Sequence, residues 1–292
     1  MRGFRGAWVF CFSIFILFSN SSAFAYCQNT NKSEAPVSPL KGHYTNVPDK
    51  YALQLLQPRV KNILNYNDLK ILIWNIAKGD DKRAYGDLNR LSQDADLVLV
   101  QEGYLDLDFQ KLFCARADLD WRMATSFWDR SGTMTGVVTA GKQTPSATSF
   151  IRSPDVEPFL HTPKMILVTE YEIPMRSETL LLVNVHGINF VGTRTFERQM
   201  LKAFEVVKSH KGPVIFGGDF NTRNIERTRF LDSLLRPQGI ERVNIAHREK
   251  NVWGFLPFDH LYQRGFDVVA SQEIEEVDSS DHKPLYFELK LR

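Results

Sequence analysis

Between Leu69 and Leu289 the chain repeats one device: a short apolar run of strand length that closes on a carboxylate, an amide or an imidazole. Ile71-Leu72-Ile73-Trp74 ends on Asn75, and Leu97-Val98-Leu99-Val100 ends on Gln101-Glu102. Leu180 to Val185 contains Asn184 and leads to His186, while Val214-Ile215-Phe216 passes through Gly217-Gly218 to Asp219 and Asn221. Asp281 and His282 stand just ahead of Leu285 to Leu289. Apolar runs of about four to eight residues suit strands buried in a core. If the strands share an orientation that gathers these ends, the polar groups form one rim held by a rigid sheet, a common setting for catalytic side chains.

The remaining pattern completes a two-sheet α/β sandwich. Gly136 to Thr139, Met165 to Tyr171 and Leu261-Tyr262 read as further strands. Arg83 to Gln93, Arg194 to Ser209 and Arg227 to Leu235 read as helices, the second with Phe196, Met200, Phe204 and Val207 on one face. Many strands with few helices imply sheets packed on each other. With 292 residues, 43% hydrophobic and 24% charged, the chain can bury a core, and composition excludes a disordered or fibrous protein.

The first 25 residues read as a leader outside the fold. Arg2 and Arg5 precede the apolar stretch Trp8 to Phe18, and Ser21, Ser22 and Ala23-Phe24-Ala25 form a cleavage pattern before Tyr26. The apolar stretch is shorter than the ~20 residues of a spanning helix, which favours a cleaved leader over a membrane anchor. The expectation is an exported protein, periplasmic or secreted. Residues 26–50, rich in Asn, Ser, Pro and Lys, read as a flexible mature N-terminus, and 51–292 as the catalytic domain. Losing Arg2 and Arg5 from 36 Lys and Arg leaves as many basic residues as the 34 Asp and Glu. A protein that tracks long duplex usually carries a basic excess, so balance weighs against a large nucleic-acid footprint. Cys27 and Cys114 remain; an oxidising compartment permits a bridge between them, and two free thiols are the alternative.

The polar set suits a hard cation. Glu102 and Asp281 offer carboxylate oxygens, and Asn75 and Asn221 offer amide oxygens. Mg²⁺ prefers a few protein oxygens together with water and phosphate. No His or Cys spacing of a zinc enzyme occurs. Taken singly, each such residue is a turn former or helix cap; the ordered set is what carries meaning.

That set, Trp74-Asn75, Gln101-Glu102, Asn184-Val185-His186, Gly218-Asp219-Phe220-Asn221, Phe258-Asp259-His260 and Ser280-Asp281-His282, resembles the endonuclease/exonuclease/phosphatase family of DNase I-like enzymes. The likeness spans about residues 69–291 and is greatest to a YafD-like bacterial branch. It implies a four-layer sandwich of two face-to-face mixed β-sheets flanked by helices. It implies a Mg²⁺- or Mn²⁺-dependent hydrolase acting on a phosphoester; no stable protein partner is implied, and a monomer is expected although the sequence does not encode the oligomeric state legibly. Asn75, Glu102 and Asp281 would hold the metal. Asp219 would orient or deprotonate the attacking water, and Asn221 would bind the phosphate or the nucleophile. His282, paired with Asp259, would stabilise charge on the phosphoryl group, and His186 would bind a non-bridging oxygen or protonate the leaving one. Phosphoryl transfer spreads negative charge over several oxygens, so positioning and electrostatics do most of the work.

Other residues leave two readings open. Ser131-Gly132 and Thr135-Gly136 contact phosphate or simply turn. Trp253 and Phe255 stack on a substrate or fill the core. Arg223, Arg227 and Arg229 grip phosphate or form a solvated helix face. Glu170 pairs with His186 or stays on a strand surface. His161, His210 and His247 match no motif. The substrate expected first is nucleic acid, DNA or RNA; a phospholipid of sphingomyelin type or a small phosphorylated molecule such as an inositol phosphate is the alternative. A fold that has lost catalysis and serves as a binding module is the third reading. No counterpart is evident of the tyrosine or arginine that abasic-site endonucleases use near DNA.

Overall fold

The computed structural model describes residues 43–57, 60–245 and 256–292. The segment expected to be a leader, Cys27, His247, Trp253 and Phe255 lie outside them. In chain order the strands are β1 (Thr45–Asn46), β2 (Leu53–Leu55), β3 (Leu69–Asn75), β4 (Leu97–Tyr104), β5 (Asp120–Trp128), β6 (Met134–Gly141), β7 (Ala147–Val156), β8 (Pro163–Glu172), β9 (Thr179–His186), β10 (Val214–Asp219), β11 (Glu241–Arg242), β12 (Asp259–Arg264), β13 (Phe266–Glu273) and β14 (Leu285–Leu291). The α-helices are α1 (Arg83–Leu91), α2 (Leu107–Ala115), α3 (Thr193–Ser209) and α4 (Ile225–Leu235).

Two mixed sheets result. One runs β1-β5-β6-β4-β3-β14-β13 with β2 also paired to β5; the other runs β11-β12-β10-β9-β8-β7. Strand alternation builds the layers. In β3, Ile71 and Ile73 point between the sheets, where they meet Leu180, Leu182 and Ile215, while Leu72 and Trp74 point outward to Tyr85 and Leu88 of α1 and Phe109 of α2. In β9 the outward residues Leu181, Val183 and Val185 meet Phe196, Met200 and Val207 of α3 and Leu231 of α4. Every face of the inner strands is therefore buried, which is why they read as unbroken apolar runs. The expected four-layer α/β sandwich is the observed architecture.

The helices expected at 83–93, 194–209 and 227–235 are present with ends shifted by one or two residues. The ordered chain starts earlier than composition suggests: Thr45 and Asn46 pair with Trp128 and Phe127, so the sheet reaches into the segment expected to be flexible. Among the described residues, no helix is long and apolar enough to cross a membrane.

Candidate active site

Topology gathers the polar ends. Strands β3 and β4 are parallel, with Asn75 opposite Gln101, and β9 and β10 are parallel, with Asp219 opposite His186. Parallel pairing puts the C-terminal ends of both strands at the same rim. Strand β12 runs antiparallel to β10, so its first residue, Asp259, lies opposite Asp219. Strand β14 is antiparallel to β3, and the loop before it delivers Asp281 and His282 to the same rim. That loop is tied down by Ser280 Oγ donating to the Asn75 carbonyl (2.7 Å) and Trp74 Nε1 donating to the His282 carbonyl (2.9 Å).

Local backbone geometry aims the side chains. Gly218 has φ +133°, and a Cβ there would sit 2.2 Å from the Val185 carbonyl oxygen, so only glycine lets β10 press against β9 before Asp219. Glu102 and Asn221 both have φ +53°. Glu102 lies where the β4–β6 register skips between Val100 and Gly103. This irregularity sends Gln101 between the sheets, where its Nε2 donates to Asn184 Oδ1 (2.6 Å), and leaves Glu102 facing the cleft. Residues with φ > 0 that lack the freedom of glycine cost about 1–3 kcal/mol each and cluster at functional sites.

At the centre is Asp219, 1% exposed. Its Oδ1 accepts from the Asn221 backbone N–H (2.8 Å), and its Oδ2 accepts from Asn75 Nδ2 (3.0 Å) and Asn221 Nδ2 (3.3 Å). His186 Nε2 stands 3.7 Å and His282 Nε2 3.9 Å from the same oxygen. Burial pushes the Asp219 carboxyl up to about 7; nearby His282 opposes this and Asp259 adds to it. For His282 burial acts downward, but Asp259, Asp219 and the Nδ1–Asp259 Oδ2 hydrogen bond (2.9 Å) outweigh it and raise the imidazole to about 10. His282 is thus an imidazolium at neutral pH. His186 is driven well below its ordinary value by burial and by Lys164, with Glu102 opposing, so it is neutral.

Glu102 gathers cations. Lys78 Nζ lies 3.0 Å from Oε2, and Lys164 Nζ 3.8 Å and His186 Nε2 3.7 Å from Oε1. Lys164 also approaches Glu157 Oε2 at 3.4 Å. Burial would raise the Glu102 carboxyl, but Lys164 and Lys78 hold it well below the ordinary carboxylate range. Lys78 is raised in return: burial opposes, and Glu102 prevails.

Asn75, Glu102, His186, Asp219, Asn221, Asp281 and His282 all line one cleft of about 360 Å³, and Asp259 stands behind it on His282. The structure therefore brings the whole candidate set together. It adds Lys78, Lys164 and Glu157, which the sequence pattern did not single out because they come from three separate segments with no shared spacing. Thr135 and Gly136 also line the cleft, whereas Ser131 is bonded to Asp129 and Tyr104 at the far end of that turn. Glu170 does not meet His186: its Oε2 accepts from Thr179 Oγ1 (2.7 Å). Arg227 is neither a phosphate grip nor a solvated residue. It is 1% exposed, and its guanidinium donates to the carbonyls of Asn221 (2.8 Å), Ile188 (3.3 Å) and Val191 (2.6 Å), bracing two active-site loops.

The donor set fits a hard divalent ion. Carboxylate oxygens of Glu102, Asp219 and Asp281 share the cleft with the Asn75 amide, an oxygen-dominated environment of the kind Mg²⁺ or Mn²⁺ accepts. Asn75 Oδ1 already accepts the Ala77 N–H (3.1 Å), and its Nδ2 is given to Asp219, so it would offer at most a remaining lone pair. Among the described residues, Asp219, Asp259 and His282 also bring ligand atoms within 4.8 Å of one another. There the His282 imidazolium already supplies positive charge, as Lys78 and Lys164 do beside Glu102, so an ion would join or displace these cations.

The comparisons agree with this geometry. A model described as the Endonuclease/Exonuclease/phosphatase family matches residues 72–282. A UPF0294 protein of Vibrio campbellii is 31% identical over 246 residues, covering 82% of this chain and 84% of its own, which bears out the likeness to the YafD-like branch. The fold is shared with an endonuclease/exonuclease/phosphatase from Beutenbergia cavernae (TM-score 0.60, 16% identity, 77% of this chain and 72% of that one). It is shared too with D. rerio TDP2 complexed with single strand DNA product (TM-score 0.55, 17% identity, 76% and 99%). On the family match, the relatives and the gathered site, the chain belongs to the endonuclease/exonuclease/phosphatase family.

Proposed function

We propose that the protein is an exported, Mg²⁺- or Mn²⁺-dependent phosphodiesterase that hydrolyses nucleic acid. The observation that carries this reading is the buried Asp219 carboxylate, fixed by three N–H donors between a neutral and a cationic imidazole in a cleft that also presents Glu102 and Asp281.

The chain's own groups then divide the work. Asp219, raised toward neutrality, accepts a proton from the attacking water. The His282 imidazolium, oriented by Asp259, donates to a phosphoryl oxygen as charge builds there. Neutral His186 suits a hydrogen bond to a non-bridging oxygen better than protonation of the leaving group. The Asn221 amide is committed to Asp219 and to the Gly187 carbonyl (2.9 Å), so it positions the base. Glu102 and Asp281, with Asn75 behind them, would hold the metal, which when bound supplies Lewis acidity to the phosphoryl oxygens. Lys78 and Lys164 add positive charge where a phosphate would lie.

Export is supported by the leader pattern and by Cys114, which is disulfide-bonded; disulfides persist in oxidising compartments. The second reading, a phospholipase, draws on Phe159 and Phe190, which are 76% and 54% exposed. A panel of plasmid DNA, RNA, sphingomyelin and bis-p-nitrophenyl phosphate, each with Mg²⁺, tests the proposal. Turnover of DNA or RNA that EDTA abolishes is expected. Turnover of sphingomyelin alone would replace the substrate, and no diester turnover by folded protein would reject the activity.

A further inference from the structure

Two aromatic rings stand in solvent at the mouth of the cleft, on two loops that are built to hold them there. Phe190 lines the cleft itself, and its ring meets Phe159 edge-to-face with centroids 5.6 Å apart. The Arg223 guanidinium lies over the Phe190 ring at 4.7 Å. The Phe190 backbone is also strained, with φ +56°. The strain is held by a buried staple. Glu157, 4% exposed, accepts the Asn189 N–H on Oε1 (3.0 Å), ion-pairs with Lys164 through Oε2, and closes its own turn by donating its backbone N–H to the Thr162 carbonyl (3.0 Å). Asn189 Oδ1 then accepts the Phe190 N–H (2.9 Å). One buried carboxylate thus fixes the Phe159 loop and the Phe190 loop to each other and to the cleft.

We propose that Phe190, backed by Phe159 and Arg223, is a stacking platform for the nucleobase next to the scissile phosphate. This rests on the phosphodiesterase reading and deepens it, because it selects the substrate class. A base inside a duplex has both faces covered by its neighbours, so a side-chain platform takes an unpaired base, and the substrate is single-stranded nucleic acid. Stacking is indifferent to base identity, since every base offers a flat π-face, and the guanidinium of Arg223 provides a cation beside both ring and phosphate backbone. The near-neutral charge balance of the chain without its leader agrees with a short strand rather than a long duplex. A lipid-inserting surface would be apolar around its rings. Here the guanidinium of Arg223 covers the Phe190 ring.

The test is equilibrium binding, which needs no turnover. Fluorescence anisotropy would be recorded with the Asp219→Asn protein and short labelled strands of DNA and RNA, once with normal bases and once with an abasic tetrahydrofuran spacer, and with the duplex of the same sequence. Phe190→Ala is expected to weaken single-strand binding about tenfold, the low end of base-on-aromatic stacking. Phe190→Tyr is expected to preserve it, and Phe159→Ala to cost less. The abasic strand and the duplex are expected to bind the Phe190→Ala protein and its parent alike. Because Phe190 is exposed and alanine meets the same φ, unchanged melting curves would show that the fold is intact. The platform is overturned if Phe190→Ala leaves strand binding unchanged, if the abasic strand loses as much as the normal one, or if no strand binds. It is also overturned if the substitution instead abolishes binding to sphingomyelin–phosphatidylcholine vesicles, which would make the rings a membrane contact. Hydrolysis of bis-p-nitrophenyl phosphate by the unmodified protein decides separately whether the phosphodiesterase reading stands.

Discussion

Asp259 Oδ2 lies 2.9 Å from His282 Nδ1, and the two residues reach each other because β12 begins, and the loop before β14 passes, at the rim where Asp219 is buried. The pair holds an imidazolium beside a carboxylate on the largely buried wall of the cleft. Its energetics give the first prediction. The folded protein raises His282 to about 10, above its ordinary 6.5, so the stabilisation is fully present below about pH 6.5 and is lost as pH rises through about 10. In Asp259→Asn the principal upward influence is gone. Thermal melts of the two proteins are expected to differ most at pH 6 to 7 and to converge as pH approaches 10 and above. A gap that widens with rising pH would show that His282 is not held as a cation.

Lys78 occupies one oxygen of Glu102 at 3.0 Å, where a divalent ion would otherwise bind. Lys78→Met removes a competing positive charge, and Mg²⁺ or Mn²⁺ affinity measured by calorimetry is expected to rise by roughly tenfold. Weaker metal binding in the variant would place the ion away from Glu102.

Arg227 donates to three carbonyls, of Ile188, Val191 and Asn221, while its ring neighbour Phe196 lies 4.7 Å from the guanidinium. Arg227→Met keeps most of the packing but leaves those acceptors short of a donor. A loss of ~2–4 kcal/mol in urea unfolding is expected, with catalysis falling as well because both braced loops carry site residues. A loss below ~0.5 kcal/mol, the size of an ordinary surface change, would contradict the bracing role.

Gly218→Ala is expected to be more damaging than its size suggests. The added Cβ would meet the Val185 carbonyl oxygen at 2.2 Å on a backbone with φ +133°. Loss of at least ~2 kcal/mol and of activity is expected. A variant that melts like the parent would mean that β9 and β10 can separate at little cost.

Much of the site was legible because its residues sit where apolar runs stop. Asn75, Glu102, His186 and Asp219 each end or nearly end a buried strand, and a strand buried on both faces leaves an uninterrupted apolar signal. Edge and mixed-pattern elements were not legible. Strand β7 carries Pro154 and mixes polar with apolar residues without a clear period, which an edge strand tolerates and a sequence pattern discounts. Strand β5, Asp-Trp-Arg-Met-Ala-Thr-Ser-Phe-Trp, mixes small and polar residues that are nonetheless buried. Helix α2 is short, with a mixed polar and apolar pattern and little amphipathic signal, and only the structure shows its cap, Asp106 Oδ1 accepting the Phe109 N–H at 2.8 Å. Lys78 and Lys164 converge on Glu102, and Glu157 on Lys164, only through the fold, and Arg227 looks like any helix arginine until its three carbonyl partners are seen.

The central claim is that Asp219 works as the base of a metal-dependent phosphodiesterase. The most direct measurement is hydrolysis of bis-p-nitrophenyl phosphate by metal-stripped protein, before and after adding Mg²⁺ or Mn²⁺, alongside Asp219→Asn. The account predicts no turnover without metal, turnover when metal returns, and a fall of ~10³-fold or more in kcat for Asp219→Asn with its melting temperature retained. Equal turnover by Asp219→Asn, or turnover that persists in EDTA, would contradict it.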